Sequence, residues 1–474
     1  MVDPASASFE QLSSEVVALR ALVVELRAVN ARLVERVAEL ERRLGANPRN
    51  SSRPPSSEGY AKPPPRSQRR SSGRRPGGQP GDEGRTLRQV DEPDVLVVHA
   101  PAACSGCGGS LTAAAVVSVE ARQVFDLPAA RLVVAEHRLE HRRCAGCGTV
   151  TMAAAPGGVG APTQYGPGVR AVGCYLVGAQ HLPYARAAGV LADLLAAPVS
   201  TGSVATWVTT AAAGLDGFTA ALRTGLAAAE VACFDETGLR VEGALAWVHS
   251  ASTDILTLYT CHPRRGVEAM DAAGVLPTFA GVAVHDGWKP YRRYRAAHGL
   301  CNAHHLRELA GIIDTDGPGW AQDMALLLVE IHRGVARAKD AGAHGLAPVL
   351  LATYSARYQA ILHAGWAANP DPGRGRRRSP AANLLHRLDG HRDDVLRFAA
   401  DFRVPFDNNL AERDIRMVKL RQKISGCLRT MPGAQAFCAI RSYLSTAAKN
   451  GQPAITVLRQ LHEGQAWLPA TATC

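Results

Sequence analysis

Three short apolar runs separated by turn residues lie in the stretch VACFDETGLRVEGALAWVHSASTDILTLYTC (residues 231–261). The runs are VACFDE, ALAWVHSA and ILTLYTC, and the breaks contain Gly243 and residues 252–254. Apolar runs of this length between turn signals predict an antiparallel meander of three strands. A helix near 266–275 and a strand GVAVHD (281–286) are predicted next, and HGLCN (298–302) is a candidate fifth strand.

Three acidic residues follow or end these elements. Asp235 and Asp286 lie at strand ends, and Glu412 in FDNNLAERDIRMVK (406–419) lies near the start of a basic helix. Mg²⁺ prefers oxygen ligands, and two such ions roughly 4 Å apart can activate an attacking oxygen and stabilise a leaving one. Taken singly, each acid is an ordinary turn or surface residue. Taken together, they predict a two-metal phosphoryl-transfer site.

The predicted order is three strands, a helix, a strand and then an acid on a late helix, which is an RNase H-like order. Residues 303–400 have a helical pattern interrupted by the basic loop GRGRRR (373–378), so we expect a helical insertion before Glu412. The fold class is therefore a multidomain α+β protein.

The charge pattern indicates a nucleic-acid partner. The chain of 474 residues has a net charge of +11, and residues 49–88 alone contribute +7. This segment is rich in Pro, Gly, Ser and Arg, which predicts disorder in the absence of DNA. Its cations would bind phosphate irrespective of sequence, and the alternative is a solvated linker. The DNA-binding candidates in it are Arg69, Arg70, Arg74 and Arg75.

Residues 9–44 carry a heptad repeat. The d positions are Leu12, Leu19, Leu26, Leu33 and Leu40, and the a positions are Phe9, Val16, Val23, Asn30, Val37 and Leu44. β-Branched residues at a, Leu at d and one polar Asn at a favour a parallel two-stranded coiled coil. A single amphipathic helix packed on its own chain is the alternative. Gly45 and Pro48 are expected to end the helix.

Two CxxC pairs, Cys104 with Cys107 and Cys144 with Cys147, are each followed by glycine. Four thiolates in this pattern predict one structural Zn²⁺ in a zinc ribbon, and redox or spare thiols are the alternative. Two segments between the pairs, SVEARQVFDL (118–127) and ARLVVAEHRLEH (130–141), are strand-like.

Residues 165–225 have the pattern of a helix-turn-helix. Ser200 or Thr201 is expected to cap its second helix, and Val204, Trp207 and Val208 to form that helix's apolar face. An ordinary helical hairpin gives the same pattern, so the pattern alone does not predict DNA binding.

No signal peptide is expected, because the first 20 residues lack an apolar core segment. No stretch has the length of a membrane span. Eleven cysteines without an export signal argue against a disulfide framework. The expected domain boundaries are coiled coil 9–45, basic linker 46–90, zinc ribbon 91–160, helix-turn-helix-like region 165–225, catalytic domain 230–305 and 400–450, helical insertion 306–399, and C-terminal tail 451–474.

Over nearly its whole length the chain resembles bacterial DDE transposases of the insertion sequence 66 family. The resemblance lies in the coiled coil, the linker NPRNSSRPPSSEG with GGQPG, the double CxxC, and the DET, HDGWKPY and DNNLAER blocks. The closing KISGCLRTMPGAQAFCAIRSYLSTAAKNGQP block also fits. One departure is CNAHH (301–305), where many members have cysteine-tryptophan-alanine-histidine.

The resemblance implies an RNase H-like domain in which Asp235, Asp286 and Glu412 bind two Mg²⁺ ions, with Mn²⁺ as a substitute. Water would cleave the element end, and the freed 3′ hydroxyl would attack target DNA. The implied partners are double-stranded element ends and target DNA, a second copy of the chain or a higher homo-oligomer, and accessory proteins of the same element. The implied location is the bacterial cytoplasm, at the nucleoid.

Further site residues are predicted around the triad. Arg416, Lys419 and Lys423 share the helix face of Glu412 and are candidates for the DNA backbone, or form a solvated basic face. His304 is an accessory candidate for the scissile phosphate, or a core histidine. A different class of protein remains open, namely a non-catalytic dimeric zinc-ribbon DNA-binding protein derived from a transposase.

Overall fold

The computed structural model describes residues 4–45, 86–371, 373 and 378–470. Contacts divide the chain into two units, Ala61–Val133 and the remainder, Met1–Tyr60 with Val134–Cys474. The predicted linker residues Arg69, Arg70, Arg74 and Arg75 lie outside the described residues.

The N-terminal heptad segment is one continuous helix, α1 (Pro4–Gly45), which ends at the predicted glycine. Its apolar seam faces solvent in the single chain. Exposed fractions run from 44% to 59% for the described a and d residues between positions 16 and 40, namely Val16, Leu19, Val23, Leu26, Leu33, Val37 and Leu40. An apolar stripe this long and this exposed is a surface that a partner helix would cover.

The cysteine-rich segment contains less strand than the sequence predicts. Its strands are β1 (His141–Arg143) and β2 (Val150–Met152), which pair antiparallel around the second CxxC. The expected strands in 118–127 and 130–141 are not formed before His141. The reason is the lack of a ladder partner, since a strand needs a neighbour for its backbone hydrogen bonds. Their valines at 119, 124, 133 and 134 are more than 80% exposed.

Four helices follow in the segment predicted to be helical, α2 (Pro167–Gly178), α3 (Tyr184–Leu195), α4 (Thr201–Ala213) and α5 (Asp216–Ala227). The predicted N-cap is confirmed, because the Ser200 hydroxyl accepts a hydrogen bond from the Ser203 backbone N–H at 3.0 Å. The predicted apolar face is also confirmed, with Val204 and Val208 buried and Trp207 packed against them.

The predicted meander is confirmed as β3 (Val231–Val241), β4 (Ala244–Ser252) and β5 (Thr257–His262), which pair antiparallel. After α6 (Val267–Ala273), β6 (Val282–His285) and β7 (Ala297–Leu300) join the other edge of β3 in parallel. The strand order is β5-β4-β3-β6-β7. Because both added strands run parallel to β3, β6 and β7 end at one edge of the sheet, whereas β3 continues beyond them to Val241.

Helices cover both faces of this sheet, as the alternation of β3 requires. Ala232 and Phe234 pack into a core with α2, α4 and α5. Cys233 packs with Val284 into the core of the helical insertion. Successive residues of a strand point to opposite faces, so odd-numbered and even-numbered residues of β3 belong to different cores.

The predicted helical insertion consists of α7 (Asn302–Asp316), α8 (Trp320–Asp340), α9 (Pro348–Ala368), α10 (Pro380–Gly390) and α11 (Arg392–Ala400). The remaining helices are α12 (Asn409–Ser425), α13 (Met431–Lys449) and α14 (Ala454–His462). Within the described residues, no helix is both long enough and apolar enough to cross a membrane.

Candidate metal centre

Asp235 lies in the middle of β3 rather than at its end as the sequence predicts, because β3 continues its pairing with β4 to Val241. It comes two residues after the last residue that pairs with β6, and Asp286 directly follows β6. The pairing of β3 with β6 sets Cys233 opposite Val284, so the residues two further along, Asp235 and Asp286, are level with each other. Alternation along β3 turns Asp235 towards the face on which Cys233 packs, and the charge of Asp286 acts on Asp235. A strand register thus brings together two acids that are 51 positions apart in the sequence.

Glu412 reaches the same point from the first turn of α12. The start of that helix is anchored by Asn408, whose side-chain amide donates to the Phe234 carbonyl at 2.7 Å, next to Asp235. The backbone N–H of Asn408 also donates to the Cys301 sulfur at 3.1 Å. An acid in the first turn is favoured by the positive end of the helix dipole. These contacts hold α12 against the strand ends.

The three carboxyl groups interact electrostatically. Burial raises the pKa of Asp235 well above its usual range, and the charges of Glu236, Glu412 and Asp286 raise it further. The pKa of Glu412 is also raised, first by burial and then by Asp407 and Asp286, against the opposing effect of Arg307 and Arg416. Such crowding of negative charge away from water is relieved by a bound cation.

Two buried polar atoms at this point have no hydrogen-bond partner among the described residues, Glu412 Oε1 and His304 Nδ1. They lie 3.8 Å apart, and Arg307 Nη2 lies 3.8 Å from the same carboxylate oxygen. Burial and the nearby Arg307 charge lower the pKa of His304 to about 4. At neutral pH the ring is therefore uncharged. Its free nitrogen and the oxygen of Glu412 are better placed to bind a cation than to bind each other.

The Asp286 turn is fixed by its own backbone. Asp286 Oδ1 accepts from the Trp288 N–H at 2.8 Å, and the intervening Gly287 has a φ of +91°, which favours glycine. His285 Nδ1 accepts from the Gly287 N–H at 3.0 Å, and the other ring nitrogen of His285 lies 3.0 Å from His298 Nδ1. These bonds set the direction of the Asp286 carboxylate.

Glu236 lies on the opposite face of β3 from Asp235, as the alternation of the strand predicts. Its side chain is only 2% exposed and pairs with Arg265 at 2.6 Å. The Tyr291 hydroxyl donates to its other oxygen at 2.7 Å. Arg265 stacks between the rings of Trp247 and Trp288, 4.8 and 4.0 Å from the ring centres. Glu236 is thus a buried structural acid that ties β3 to the Asp286 turn.

Asp414, two residues beyond Glu412, is also held away from the centre. It accepts from Ser252 Oγ at 2.7 Å and Thr257 Oγ1 at 3.1 Å, and pairs with Lys449 at 2.8 Å. These contacts fasten α12 to β4, β5 and α13. They agree with the geometry of the helix, in which two positions turn Asp414 roughly 200° away from Glu412.

The predicted basic face of α12 divides into free and occupied side chains. Arg416 is 61% exposed and lies 3.9 Å from Glu412, and Lys423 is exposed as well. Lys419 is partly buried and donates to the Gly238 carbonyl at 2.5 Å, which leaves less of it available to a ligand. Arg416 and Lys423 are therefore the better placed of the three cations for an external anion.

Two arginines near the centre were missed by sequence reasoning. Arg307 follows His304 by three residues on α7, and this spacing on one helix face was the signal that could have identified it. Arg387 comes from α10 and packs its Cδ 3.6 Å from the position that a Cβ would take on Gly287. It pairs with Glu308 at 2.5 Å. No local pattern in the sequence connects Arg387 with Asp286.

The two CxxC turns have the same local geometry. In the first turn the Gly108 N–H donates to the Cys104 carbonyl at 2.9 Å, and in the second the Gly148 N–H donates to the Cys144 carbonyl at 2.9 Å. Both glycines have positive φ, +75° and +72°.

One thiol in each turn has hydrogen-bond donors that favour its deprotonation, Cys104 in the first turn and Cys147 in the second. Hydrogen bonds from the Cys107 and Gly106 backbone N–H groups lower the pKa of Cys104, and the Thr149 hydroxyl and backbone N–H lower that of Cys147. Thiolates are the form that binds Zn²⁺, so the donors in each turn fit this metal.

Comparison with protein families identifies three segments. The model described as "Transposase IS66 family" matches residues 162–436, more than half of the chain. The model described as "zinc-finger binding domain of transposase IS66" matches residues 101–148, which supports a structural zinc, and a family of unknown function matches residues 1–88. A search of curated proteins finds no match. On the strength of the match over residues 162–436, the chain belongs to the insertion sequence 66 family of transposases.

Proposed function

We propose that this transposase is a DDE enzyme, which cleaves the ends of its insertion element and joins them to target DNA in a Mg²⁺-dependent reaction. The observation that carries the proposal is the convergence of Asp235, Asp286 and Glu412 at one edge of the sheet. The sheet order, three antiparallel strands followed by two parallel strands, supports an RNase H-like catalytic domain.

The three carboxylates are the residues that would hold two Mg²⁺ ions, with Mn²⁺ as a substitute. Bound there, the ions would lower the pKa of an attacking hydroxyl and stabilise the leaving oxygen of the phosphodiester. The chain itself supplies rigid support, since Asn408 fixes the start of α12 and the Gly287 turn fixes Asp286. Asp235 lies within β3 and Asp286 directly follows the neighbouring strand β6, so the sheet helps to set their spacing.

Several cations near the triad are suited to the DNA backbone. Arg307 and Arg416 lie within 4 Å of Glu412, and Lys423 follows on the exposed part of α12. Phosphate contacts of this kind position a duplex without reading its sequence. We assign non-specific affinity to the basic segment around Arg69, Arg70, Arg74 and Arg75, and further DNA contacts to the helices of residues 165–225.

The zinc and α1 complete the proposal. We assign Cys104, Cys107, Cys144 and Cys147 as the ligands of one structural Zn²⁺, which is supported by the family match over 101–148 and by the two turn geometries. We assign α1 as a parallel dimerisation helix, which is supported by its exposed seam. Two copies would bring two element ends into one complex.

The wild-type protein tests the function directly. It should nick a labelled duplex carrying the ends of its own element when Mg²⁺ is present, and should leave a duplex of shuffled sequence intact. Binding of the element end without any cleavage, with Mg²⁺ or Mn²⁺, would refute the enzyme. That result would instead favour a non-catalytic zinc-ribbon DNA-binding protein.

A further inference from the structure

Asp235, Asp286 and Glu412 do not account for every donor at the centre. His304 lies in the first turn of α7 and directs Nδ1 towards Glu412 Oε1, at 3.8 Å. Both atoms are buried and lack a hydrogen-bond partner in the described structure. The sulfur of Cys301 completes a group whose donor atoms all lie within 4.8 Å of one another.

The separation of the two orphan atoms suits one ion between them. Zn²⁺ and ions of similar size hold nitrogen and oxygen ligands at about 2.0–2.2 Å, so two ligands of one ion can be at most about 4.2 Å apart. A direct hydrogen bond would need roughly 2.7–3.2 Å. At 3.8 Å the pair is too long for that bond and short enough to share an ion.

We propose that His304 and Glu412 are two ligands of one metal position, which is therefore a mixed nitrogen–oxygen site that prefers Mn²⁺ to Mg²⁺. The inference rests on the proposed function and deepens it by giving one of its two ions an imidazole ligand. Imidazole is a good ligand for transition metals, whereas Mg²⁺ takes oxygen and keeps its water. A centre of carboxylates alone would prefer Mn²⁺ less strongly, because oxygen ligands suit both ions.

Two neighbours shape this position. Cys301 Sγ accepts from the Asn408 N–H, so the thiol is already engaged and helps to place α7 and α12 relative to each other. Arg307, 3.8 Å from the same Glu412 oxygen, opposes a cation there. The negative charges of Asp235 and Asp286 offset that effect.

The test measures metal binding by the full-length, zinc-loaded protein without DNA. Electron paramagnetic resonance of free Mn²⁺ gives the Mn²⁺ affinity, and displacement by Mg²⁺ gives the Mg²⁺ affinity. His304→Gln should weaken Mn²⁺ binding about tenfold or more, and should change Mg²⁺ binding much less. His304→Asn, which keeps an oxygen donor near the Nδ1 position, should retain binding but prefer Mn²⁺ over Mg²⁺ less strongly than the wild type.

A spectroscopic readout identifies the ligand itself. Electron spin echo of bound Mn²⁺ should show coupling to a directly bound imidazole nitrogen in the wild type and in His363→Gln, a control on the exposed side of α9. The coupling should be absent in His304→Gln. Wild-type Mn²⁺ affinity in His304→Gln, or no nitrogen coupling in the wild type, would overturn the inference.

The two proposals can fail separately. Asp235→Asn should weaken Mn²⁺ and Mg²⁺ binding together, because it removes a carboxylate that both ions use. If Asp235→Asn leaves both affinities unchanged, the proposed carboxylate centre is wrong. If Asp235→Asn weakens both but His304→Gln weakens neither, the centre stands and only the histidine ligand is refuted.

Discussion

At the scale of single residues, Asp235 shows how burial and like charge act together. Both effects disfavour its ionised form in the folded chain, so its pKa is raised. A carboxyl group with a raised pKa contributes stability below the unfolded pKa, near 3.9, and that stability is lost as the pH rises through the folded value. A metal ion would offset this loss of stability at neutral pH.

Removing the buried charge of Asp235 should therefore stabilise the metal-free protein at a pH where this carboxyl group is ionised. Without divalent metal at pH 8, Asp235→Asn should melt above the wild type, because it removes a buried repelling charge. At pH 4 the two should melt together. A gain of ~1 kcal/mol corresponds to about 2–4 °C in a domain of 150–250 residues. Scanning calorimetry at both pH values provides the check, with added Mg²⁺ expected to stabilise the wild type only.

A lower melting temperature for metal-free Asp235→Asn at pH 8 would contradict this electrostatic argument. Glu236→Gln is not a neutral comparison, because Glu236 is 2% exposed and paired with Arg265. Removing one partner of a buried ion pair leaves the other without its countercharge. Asp254, exposed in the turn between β4 and β5, is the matched aspartate for Asp→Asn controls.

At the scale of elements, α1 is the helix for which we propose a partner. Its seam residues are exposed along the described helix, although they repeat every seven positions. In the full-length protein, Leu26→Asp should convert dimers to monomers at micromolar concentrations, because the charge would be buried in the seam. Sedimentation velocity measures the change, and Ala28→Asp, on the outer f position, is the control.

Monomeric wild-type protein at tens of micromolar would refute dimerisation through α1. A second variant tests the register specifically. Asn30→Ile removes the one polar a residue, so it should broaden the choice of oligomer without abolishing self-association.

The zinc turns give a second prediction at this scale. Purified protein should contain about one equivalent of zinc, and Cys144→Ser should lower this content, because one of four thiolates is lost. Atomic absorption or inductively coupled plasma spectrometry measures it. The control is Cys427→Ser, since Cys427 is exposed and free. Full zinc content in Cys144→Ser would require a different ligand set.

Sequence patterns predicted the elements best where the apolar spacing and the final packing agree. The meander β3–β5, the strand before Asp286 and the Ser200 cap are confirmed, because each rests on local chemistry. The strand predicted in 118–127 is not formed, because an alternating apolar pattern gives a strand only when another strand pairs with it. Arg387 could not be predicted near Asp286, since their proximity depends on how the helical insertion packs.

At the scale of the whole molecule, the most basic segment and the acidic cluster lie in different parts of the chain. The segment 49–88 carries a net charge of +7, whereas the acidic cluster is at residues 235, 286 and 412. Replacing Arg69, Arg70, Arg74 and Arg75 with alanine should weaken binding to all duplexes alike. The slope of log affinity against log salt should flatten by about 0.9 for each lost phosphate contact.

Fluorescence anisotropy across a salt series measures this effect on element-end and unrelated duplexes in parallel. Loss of affinity for the element end alone would contradict a non-specific role. It would indicate that these arginines read the end sequence rather than the phosphate backbone.

We propose that one carboxylate centre performs both cleavage and joining. Its most direct test compares Asp235→Asn, Asp286→Asn and Glu412→Gln with the control Asp254→Asn on two substrates, an intact element-end duplex and a pre-cut end with a free 3′ hydroxyl. Each triad variant should lose both reactions by ~10³-fold or more, since metal stabilisation is worth several kcal/mol, while still binding the end. A triad variant that binds the end and either cleaves or joins like the wild type would contradict a single carboxylate centre for both reactions.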